Sequence, residues 1–277
     1  MGSLNFTKMH GLGNDFVVID DLLSSGTADS HLLPRDAVRI CDRRLGIGAD
    51  QILWLKKPHD SSCDARMEIL NADGTEAEMC GNGIRAVALY LRKYSSIEKI
   101  KYNIETLAGI KQVEFVGHEV RVNMGVPQFL GAELRLECIQ VQGRQFEFYD
   151  VSMGNPHAVI FVEDVESFPV ESYGPFIEKH SRFSKRTNVE FVQVNATHSI
   201  QVRVWERGAG ITLACGTGAC AAAVATLATQ RAQGFLDVVL PGGKLVISWA
   251  GQGHSVFMQG PAVEVFRGSY DLLGVTS

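Results

Sequence analysis

The feature of this 277-residue chain that most constrains its fold is an internal repeat. The segment RMEILNADGTEAEMCGNG at 66–83 corresponds to QVRVWERGAGITLACGTG at 201–218. Each consists of an alternating apolar run, a polar turn that contains glycine, and a Cys-Gly-x-Gly motif, and the two motifs lie 135 residues apart, about half the chain. A period of this length predicts two copies of one structural unit.

Three further pairs of segments recur in the same order along the two halves. These pairs are Gly13-Asn14 with Gly154-Asn155, VNMGVP (122–127) with FMQGPA (257–262), and Ala108-Gly109 with Gly242-Gly243. One match between glycine pairs would carry little weight, but four matches in sequential order favour a duplicated domain with an approximate two-fold relation between the halves. We therefore predict an N-terminal repeat over residues 1–124, to which residues 266–277 return, and a C-terminal repeat over 125–265.

Each Cys-Gly-x-Gly motif is predicted to open a helix. After the first motif, Ile84, Val87, Ala88 and Leu91 follow the i, i+3, i+4, i+7 spacing of a helix with one buried face, and the alanine-rich, almost uncharged run 219–228 predicts a helix buried on all sides. Short β-type runs occupy 51–55, 111–115, 120–124, 189–194, 238–240 and 245–249. We predict an α+β fold with two pseudo-symmetric domains, each a curved mixed β-sheet wrapped around a central helix, rather than alternating βαβ units.

The charge and hydropathy of the chain indicate which partners it does not bind. With 26 Lys and Arg against 31 Asp and Glu the net charge is -5, so no basic field is available to neutralise phosphates or to bind anionic lipid. The longest apolar stretch, 219–228, is about half of what a membrane-spanning helix needs, and no secretion signal is recognisable. We expect a cytoplasmic protein that binds neither nucleic acid nor membranes.

Six cysteines, at 41, 63, 80, 138, 215 and 220, are too sparse for a disulfide scaffold, so free thiols are expected. Four of them are interpreted as small buried apolar residues. Cys80 and Cys215 differ because both occupy equivalent places in the repeats, at a helix start flanked by glycine. There the unpaired N–H groups and the helix dipole favour a thiolate, which predicts a lowered pKa for both thiols.

Two equivalent acid/base groups that face each other across a cleft provide what inversion at a carbon requires. One thiolate removes the α-proton from one face while the opposite thiol donates a proton to the other face. The developing carbanion needs hydrogen-bond donors aimed at the α-carboxylate in a site closed to water. We therefore expect a site in the cleft between the repeats, and no metal, because the chain contains neither HExxH nor paired CxxC motifs.

Six segments of the chain carry a resemblance to a known family. They are MHGLGNDFVVID (9–20), GIGADQ (46–51), NADGTEAEMCGNGIR (71–85), SMGNPHAV (152–159), RTNVEFV (186–192) and ERGAGITLACGTGACA (206–221). Together they resemble the diaminopimelate epimerases, from about residue 6 to the C-terminus. The resemblance implies an enzyme without PLP or any other cofactor that interconverts LL- and meso-2,6-diaminopimelate, a precursor of lysine and peptidoglycan.

The resemblance also implies roles for particular residues. Cys80 and Cys215 match the two catalytic acid/base groups, and His157 and Glu206 match residues near the cysteines that tune protonation or bind the amino group. The residues that match substrate-binding positions are Asn14, Gln51, Asn71, Gly81, Asn82, Asn155, Asn188, Glu206, Arg207, Gly216 and Thr217. Amide side chains fit such a substrate because the same group accepts from an ammonium and donates to a carboxylate.

Other interpretations remain open from the sequence. Asn14 beside a glycine is also a common turn former, a histidine such as His157 often only packs, and Arg85 is interpreted as a surface charge outside the site. Ile211 stands where many members of the family have Glu, which concerns the hydrogen bonding of that turn. Phe266 stands where some members have a Tyr at a dimer interface, and a homodimer is expected from the resemblance.

Three alternative functions compete with epimerisation of diaminopimelate. The first is a proline or hydroxyproline racemase built on the same two-thiol plan. The second is a thiol redox sensor, because two reactive thiols that face each other can form a disulfide. The third is a binding module of the same fold without activity.

Overall fold

A computed structural model of the chain describes residues 3–22, 32–95, 99–131 and 133–272. The chain divides into two compact units, one formed by Met1–Val122 and Pro261–Ser277, the other by Asn123–Gly260. The sequence predicted boundaries after 124 and 265, so the chain enters the second unit two residues earlier and leaves it five residues earlier than predicted. Residues 273–277 of the predicted return lie outside the described part of the chain.

In its described ranges, the first unit contains a mixed sheet and two helices. In chain order its elements are β1 (Ser3–Gly11), β2 (Asn14–Asp21), α1 (Pro34–Cys41), β3 (Gln51–Lys56), β4 (Ala65–Asn71), β5 (Glu76–Ala77), α2 (Gly81–Tyr94), β6 (Lys101–Thr106), β7 (Gly109–Val116) and β8 (Glu119–Gly125), which ends just beyond the boundary. Strands β1 and β2 pair antiparallel, β2 and β3 parallel, β3 and β4 antiparallel, and β4 and β6 parallel. Strand β6 then pairs antiparallel with β7, and β7 with β8.

The second unit repeats this order of pairings. Its elements are β9 (Gln128–Phe129), β10 (Leu136–Val141), β11 (Arg144–Ser152), β12 (Pro156–Phe161), α3 (Val170–Glu178), β13 (Asn188–Ala196), β14 (Ser199–Glu206), β15 (Gly210–Thr212), α4 (Gly216–Ala228), β16 (Phe235–Leu240), β17 (Gly243–Trp249) and β18 (Val256–Gly260). Strands β11 and β12 pair antiparallel, β12 and β13 parallel, β13 and β14 antiparallel, and β14 and β16 parallel, followed by antiparallel β16–β17 and β17–β18. The predicted α+β fold with a mixed sheet in each half is confirmed.

The last strand, β19 (Val263–Asp271), belongs to the first unit, where it pairs antiparallel with β1 from Ser3↔Asp271 to His10↔Val263. Strand β10 occupies the corresponding place in the second unit, antiparallel to β11. The ring of Phe266, on β19, packs edge-on against Phe6 with centroids 5.8 Å apart, and its side chain is half exposed.

The central helix is α2 in the first unit and α4 in the second. In α2 the buried face runs from Gly81 to Ala88 and includes Tyr90 and Leu91, while Lys93 is exposed. In α4 every residue from Gly218 to Thr226 is buried, because alanine and glycine let the strands around the helix approach it closely. The helix predicted to be buried on all sides is therefore confirmed, apart from its exposed last residue, Ala228.

Helices α1 and α3 were not predicted from the sequence. Neighbouring parallel strands need a crossover connection. Helices α1 and α3 provide it for the parallel pairs β2–β3 and β12–β13. Helices α2 and α4 do the same for β4–β6 and β14–β16. Both helices are short, and α3 carries Pro175 and Gly174 within it. A Cβ on Gly174 would lie 2.6 Å from the Trp205 ring, so packing against β14 explains this glycine.

Cys41, Cys63 and Cys220 are buried as predicted, but Cys138 on β10 is exposed, so its interpretation as a core residue was wrong. Residues of β10 alternate between buried and exposed, and Cys138 lies on the outer face. Among the described residues, no helix is both long and apolar enough to cross a membrane.

Candidate active site

Both cysteines of the repeat lie at the N-cap of a central helix, as the sequence predicted. Cys80 has extended backbone angles (φ -137°, ψ 111°), and its Sγ accepts a hydrogen bond from the N–H of Gly83 at 3.3 Å. Cys215 has nearly the same angles (φ -118°, ψ 113°), and its Sγ accepts from the N–H of Gly218 at 3.4 Å. Each sulfur thus occupies the place of a side-chain cap, where it satisfies one of the unpaired N–H groups of its helix.

In the first unit, two side-chain amides form hydrogen bonds beside Cys80. The Cys80 thiol donates to Asn14 Oδ1 at 3.6 Å, and Asn82 Nδ2 donates to the same oxygen at 3.3 Å. The other end of the Asn14 amide donates to Asp50 Oδ2 at 2.9 Å, which sets the orientation of the side chain. Asn14, Cys80 and Asn82 form one hydrogen-bonded set, which we call the Cys80 group.

Arg85 belongs beside the Cys80 group, and its interpretation as a surface charge was wrong. The side chain is fully buried, with guanidinium hydrogen bonds to Asn82 Oδ1 at 3.0 Å, to the Gly81 carbonyl at 3.2 Å and to the Pro261 carbonyl at 3.2 Å. The available signal was its spacing, because residues three and four apart on a helix share a face. Arg85 therefore orients the amide of Asn82.

Gln51 and Asn71 form a pair at the start of β3 and the end of β4, where they lie opposite each other in the ladder. Gln51 Nε2 donates to Asn71 Oδ1 at 2.8 Å, and Asn71 Nδ2 donates to Thr75 Oγ1 at 2.9 Å. Gln51 Oε1 is buried and has no hydrogen-bond partner among the described residues. This oxygen is an acceptor available for an ammonium group.

Around Cys215, in the second unit, side chains form a continuous hydrogen-bonded chain. Thr217 Oγ1 lies 3.6 Å from the Cys215 Sγ, and Asn155 Nδ2 donates to that hydroxyl at 3.3 Å. Asn155 Oδ1 lies 3.0 Å from His157 Nε2, and His157 Nδ1 donates to Glu190 Oε1 at 2.8 Å. We call these five residues the Cys215 chain.

Glu190 is the member of the Cys215 chain that was missed in the sequence. It lies on β13 two residues after Asn188, so both side chains point to the same face of the strand. Its carboxyl group is fully buried, with Oε1 2.8 Å from Nδ1 of the equally buried His157. The signal was a lone acidic residue within the apolar run 189–194.

Asn188 and Arg207 lie at the strand ends next to the Cys215 chain. Asn188 Nδ2 donates to the Pro156 carbonyl at 2.9 Å, and Asn188 Oδ1 accepts from the Arg207 N–H at 2.9 Å. The exposed Arg207 guanidinium donates to the Lys185 carbonyl at 3.1 Å. Asn188 thus holds the turn that carries Arg207.

The predicted lowering of the thiol pKa is wrong for Cys215. Burial raises its pKa well above the usual value, and the negative charges of Glu206 and Glu190 raise it further, against the weaker effects of Thr217 and of the Gly218 N–H. The pKa of Glu206 is raised as well, mainly by burial, although a hydrogen bond with Cys215 opposes that shift. Desolvation therefore outweighs the helix dipole, and Cys215 carries its proton at neutral pH.

No group of three or more His, Cys, Asp or Glu side chains that could hold a metal ion occurs in the described ranges.

The fold is shared with solved structures of racemases and epimerases. A hydroxyproline epimerase from Agrobacterium vitis superposes with a TM-score of 0.72 at 16% identity, covering 96% of this chain and 92% of that one. A probable proline racemase from Agrobacterium radiobacter gives a TM-score of 0.72 at 16% identity, with 97% and 93% covered. A phenazine biosynthesis protein from Bacillus anthracis gives 0.67 at 15% identity, with 98% and 99% covered. The chain thus shares its fold with these proteins.

Sequence comparison assigns the family within that class. The family model described as diaminopimelate epimerase matches residues 6–130 and 149–265. Diaminopimelate epimerases of Carboxydothermus hydrogenoformans and Pseudomonas savastanoi are 47% and 46% identical over 97% of this chain, covering 100% and 99% of the relatives. The enzyme of Synechocystis is 43% identical over 98% of this chain and 100% of its own length. The chain belongs to the diaminopimelate epimerase family.

Proposed function

We propose that this protein interconverts LL- and meso-2,6-diaminopimelate without PLP, and that Cys80 and Cys215 are the acid and the base of the reaction. Family membership supports the substrate. The observation that carries the mechanism is that the two units place one thiol each at the same position, the N-cap of the central helix. Inversion at a carbon needs one proton-transfer group for each face, and a duplicated unit provides two such groups.

The environments of the two thiols support different resting roles. Cys215 is buried beside two carboxyl groups and keeps its proton, so it is the donor in the direction of reaction that starts from this state. Cys80 is half-buried and its Sγ accepts from the Gly83 N–H, so it acts as the base once it has lost the proton that it donates to Asn14. After one turnover the protonation states are exchanged, which is the state required for the reverse reaction.

The developing carbanion is stabilised by hydrogen bonds to the α-carboxylate. The first backbone N–H groups of α2 and α4, at Gly81, Asn82, Gly216 and Thr217, are donors of the kind that binds anions at helix N-termini. We propose that the distal end of the substrate is bound by the remaining polar residues predicted from the sequence. These are Gln51, Asn71, Asn155, Asn188, Glu206 and Arg207.

The decisive experiment follows the α-proton. Incubation with LL-diaminopimelate in deuterated water is expected to yield meso-diaminopimelate with one deuterium at the inverted carbon. Cys80→Ala and Cys215→Ala are each expected to abolish epimerisation, whereas Cys138→Ala, which removes an exposed thiol, serves as the matched control. Full epimerisation by either site variant would exclude the two-thiol mechanism and favour a redox function.

A second substrate class is tested in the same assay, because the fold is shared with a hydroxyproline epimerase. L-Proline and trans-4-hydroxy-L-proline are expected to incorporate no deuterium. Incorporation into proline alone would overturn the proposed substrate while leaving the two-thiol mechanism in place.

We also propose that the protein forms a homodimer. Strand β19 exposes Val263, Val265 and Phe266, three apolar side chains on one strand, and this supports an interface there. Light scattering is expected to give the mass of two chains for the wild type and of one chain for Phe266→Asp.

A further inference from the structure

The two units differ at one buried position of the repeat. In the first unit Phe16 on β2 lies opposite Gln51, the first residue of β3, and Leu53 follows two residues later. In the second unit His157 on β12 lies opposite Asn188, the first residue of β13, and Glu190 follows two residues later. The pair Phe16 and Leu53 in one unit thus corresponds to His157 and Glu190 in the other, and all four side chains are fully buried.

The contact with the central helix is also equivalent. A Cβ on Gly83 would lie 3.0 Å from Leu53 Cδ2, and a Cβ on Gly218 would lie 2.7 Å from Glu190 Oε1. In each unit, therefore, the side chain of Leu53 or Glu190 packs against the glycine whose N–H donates a hydrogen bond to the sulfur of the cysteine at the helix start. The carboxyl group of Glu190 lies under the first turn of α4.

The apolar pair of the first unit shows that this fold needs no charge at the position. A buried ion pair generally stabilises a fold no better than well-packed apolar residues of similar volume, because both charges lose their hydration. Glu190 and His157 therefore have a use other than stability. The hydrogen bonds of the Cys215 chain point to that use, since they lead from Glu190 through His157, Asn155 and Thr217 to the sulfur of Cys215.

We propose that Glu190 is a positioning residue for His157. Its carboxylate accepts a hydrogen bond from the Nδ1–H of His157 and so fixes the orientation of the ring. The ring in turn fixes Asn155 and the Thr217 hydroxyl beside the Cys215 thiol. This inference rests on the proposed function of Cys215. A carboxylate only accepts hydrogen bonds, so the Nδ1 proton stays in place whether the ring is neutral or charged. The variable proton of the ring is the one on Nε2, which faces Asn155.

Two proton arrangements satisfy the same heavy atoms. With Nε2 protonated, the ring donates to Asn155 Oδ1, and Glu190 balances the charge of the imidazolium. With Nε2 unprotonated, the Asn155 amide turns over, donates to Nε2 and accepts from the Thr217 hydroxyl. The orientation of that hydroxyl toward Cys215 is thus coupled to the proton held by His157.

The charge of Glu190 also acts on the sulfur directly. After burial and Glu206, it is the third cause that raises the pKa of the Cys215 thiol. The titratable groups around the chain are His157 on β12, Glu206 at the end of β14, Cys215 itself and Asp150 on β11, whose pKa is raised by burial. Removing the Glu190 charge is therefore expected to let Cys215 ionise at lower pH.

The first test is Glu190→Gln, which keeps the shape of the side chain and removes its charge. We expect kcat to fall about 10-fold to 100-fold, as when a residue that orients a functional histidine is lost, with little change in KM. The alkaline limb of the kcat profile is expected to shift to lower pH by about half a unit or more. If Glu190 has only a structural role, the substitution will lower Tm but leave the alkaline limb of the kcat profile at the same pH. Glu163→Gln, which removes an exposed carboxylate of the same unit, is the matched control.

The second test transfers the apolar pair of the first unit. The double variant His157→Phe with Glu190→Leu is expected to fold with a Tm equal to or above that of the wild type and to lose at least as much kcat as Glu190→Gln. If Glu190→Gln does not fold, this double variant decides the question. Full activity of either variant with an unchanged pH profile would overturn the proposal.

A third measurement separates this proposal from the proposed function. The rate of Cys215 carboxamidomethylation by iodoacetamide, followed by mass spectrometry against pH, reports the thiolate directly and needs no turnover. Its midpoint is expected at lower pH in Glu190→Gln than in the wild type. An inactive wild type with this shift would refute the proposed function alone, and an active wild type without it would refute the role of Glu190.

Discussion

Arg85 provides the sharpest test of how the Cys80 group is held. We consider Arg85→Met, which keeps most of the volume of the side chain and removes the guanidinium. The substitution leaves three acceptors in or near the core without their donor: the Gly81 carbonyl, the Pro261 carbonyl and Asn82 Oδ1. The buried charge is removed together with these hydrogen bonds.

The magnitude follows from these three bonds. A hydrogen bond to a charged group contributes about 1.5–3 kcal/mol, and the loss of burial cost for the guanidinium offsets part of the sum. We expect the free energy of unfolding to fall by about 3–5 kcal/mol, the sum for three such hydrogen bonds less that offset. Arg92→Met on the same helix is the control, because its guanidinium is only half-buried, with a long hydrogen bond of 3.4 Å to the Gly117 carbonyl and a cation–π contact 4.4 Å from the centre of the Phe115 ring. The control is expected to cost about 1 kcal/mol or less.

The assay is equilibrium unfolding in urea followed by circular dichroism, with the slope against urea compared between variants. Activity is measured under conditions in which each variant is folded. We expect kcat to fall in Arg85→Met even there, because Asn82 loses the donor that orients its amide. A loss of stability below about 1 kcal/mol, together with normal kcat, would refute the assignment of Arg85 to the site.

Three further predictions follow from the two thiols. Cys80→Ser and Cys215→Ser are each expected to keep at most a trace of epimerase activity, because a serine hydroxyl is far less acidic than a thiol, and near-normal kcat in either would contradict proton transfer by sulfur. Iodoacetamide near pH 8 is expected to label Cys138 and Cys80 before Cys215, because Cys215 is buried and its pKa is raised. Peptide mass spectrometry gives the order of labelling, and labelling of Cys215 first would contradict its protonated state. The unfolded chain loses the Cys215 proton near the usual thiol pKa of 9.0 while the folded chain retains it, so the free energy of unfolding should fall as pH rises above that value. Cys215→Ser should weaken this dependence on alkaline pH in urea titrations. An unchanged dependence in that variant would assign the effect to other groups.

Much of the fold was readable in the sequence because its signals are local. The helix that follows each Cys-Gly-x-Gly motif shows its period within one or two turns, and the strands show alternation over a few residues. The duplication was visible because equivalent segments keep their order along the chain. Helices α1 and α3 were missed because eight or nine residues show too few turns of a helical period, and in α3 Gly174 and Pro175 also interrupt it. Their role as crossovers depends on strands that become neighbours only in the sheet.

The sequence alone determined where the two reactive sulfurs lie, because a helix N-terminus and its glycines are defined by a few adjacent residues. Their ionisation was decided by the tertiary structure. Glu190 lies 25 residues before Cys215 in the chain, yet the fold packs its carboxyl group under the first turn of α4 and buries the thiol with it. Likewise Arg85 reads as a solvated charge until α2 is placed in its sheet. The helix dipole is a local property, whereas desolvation and charge pairing depend on which distant residues surround a group, and for Cys215 these outweigh the dipole.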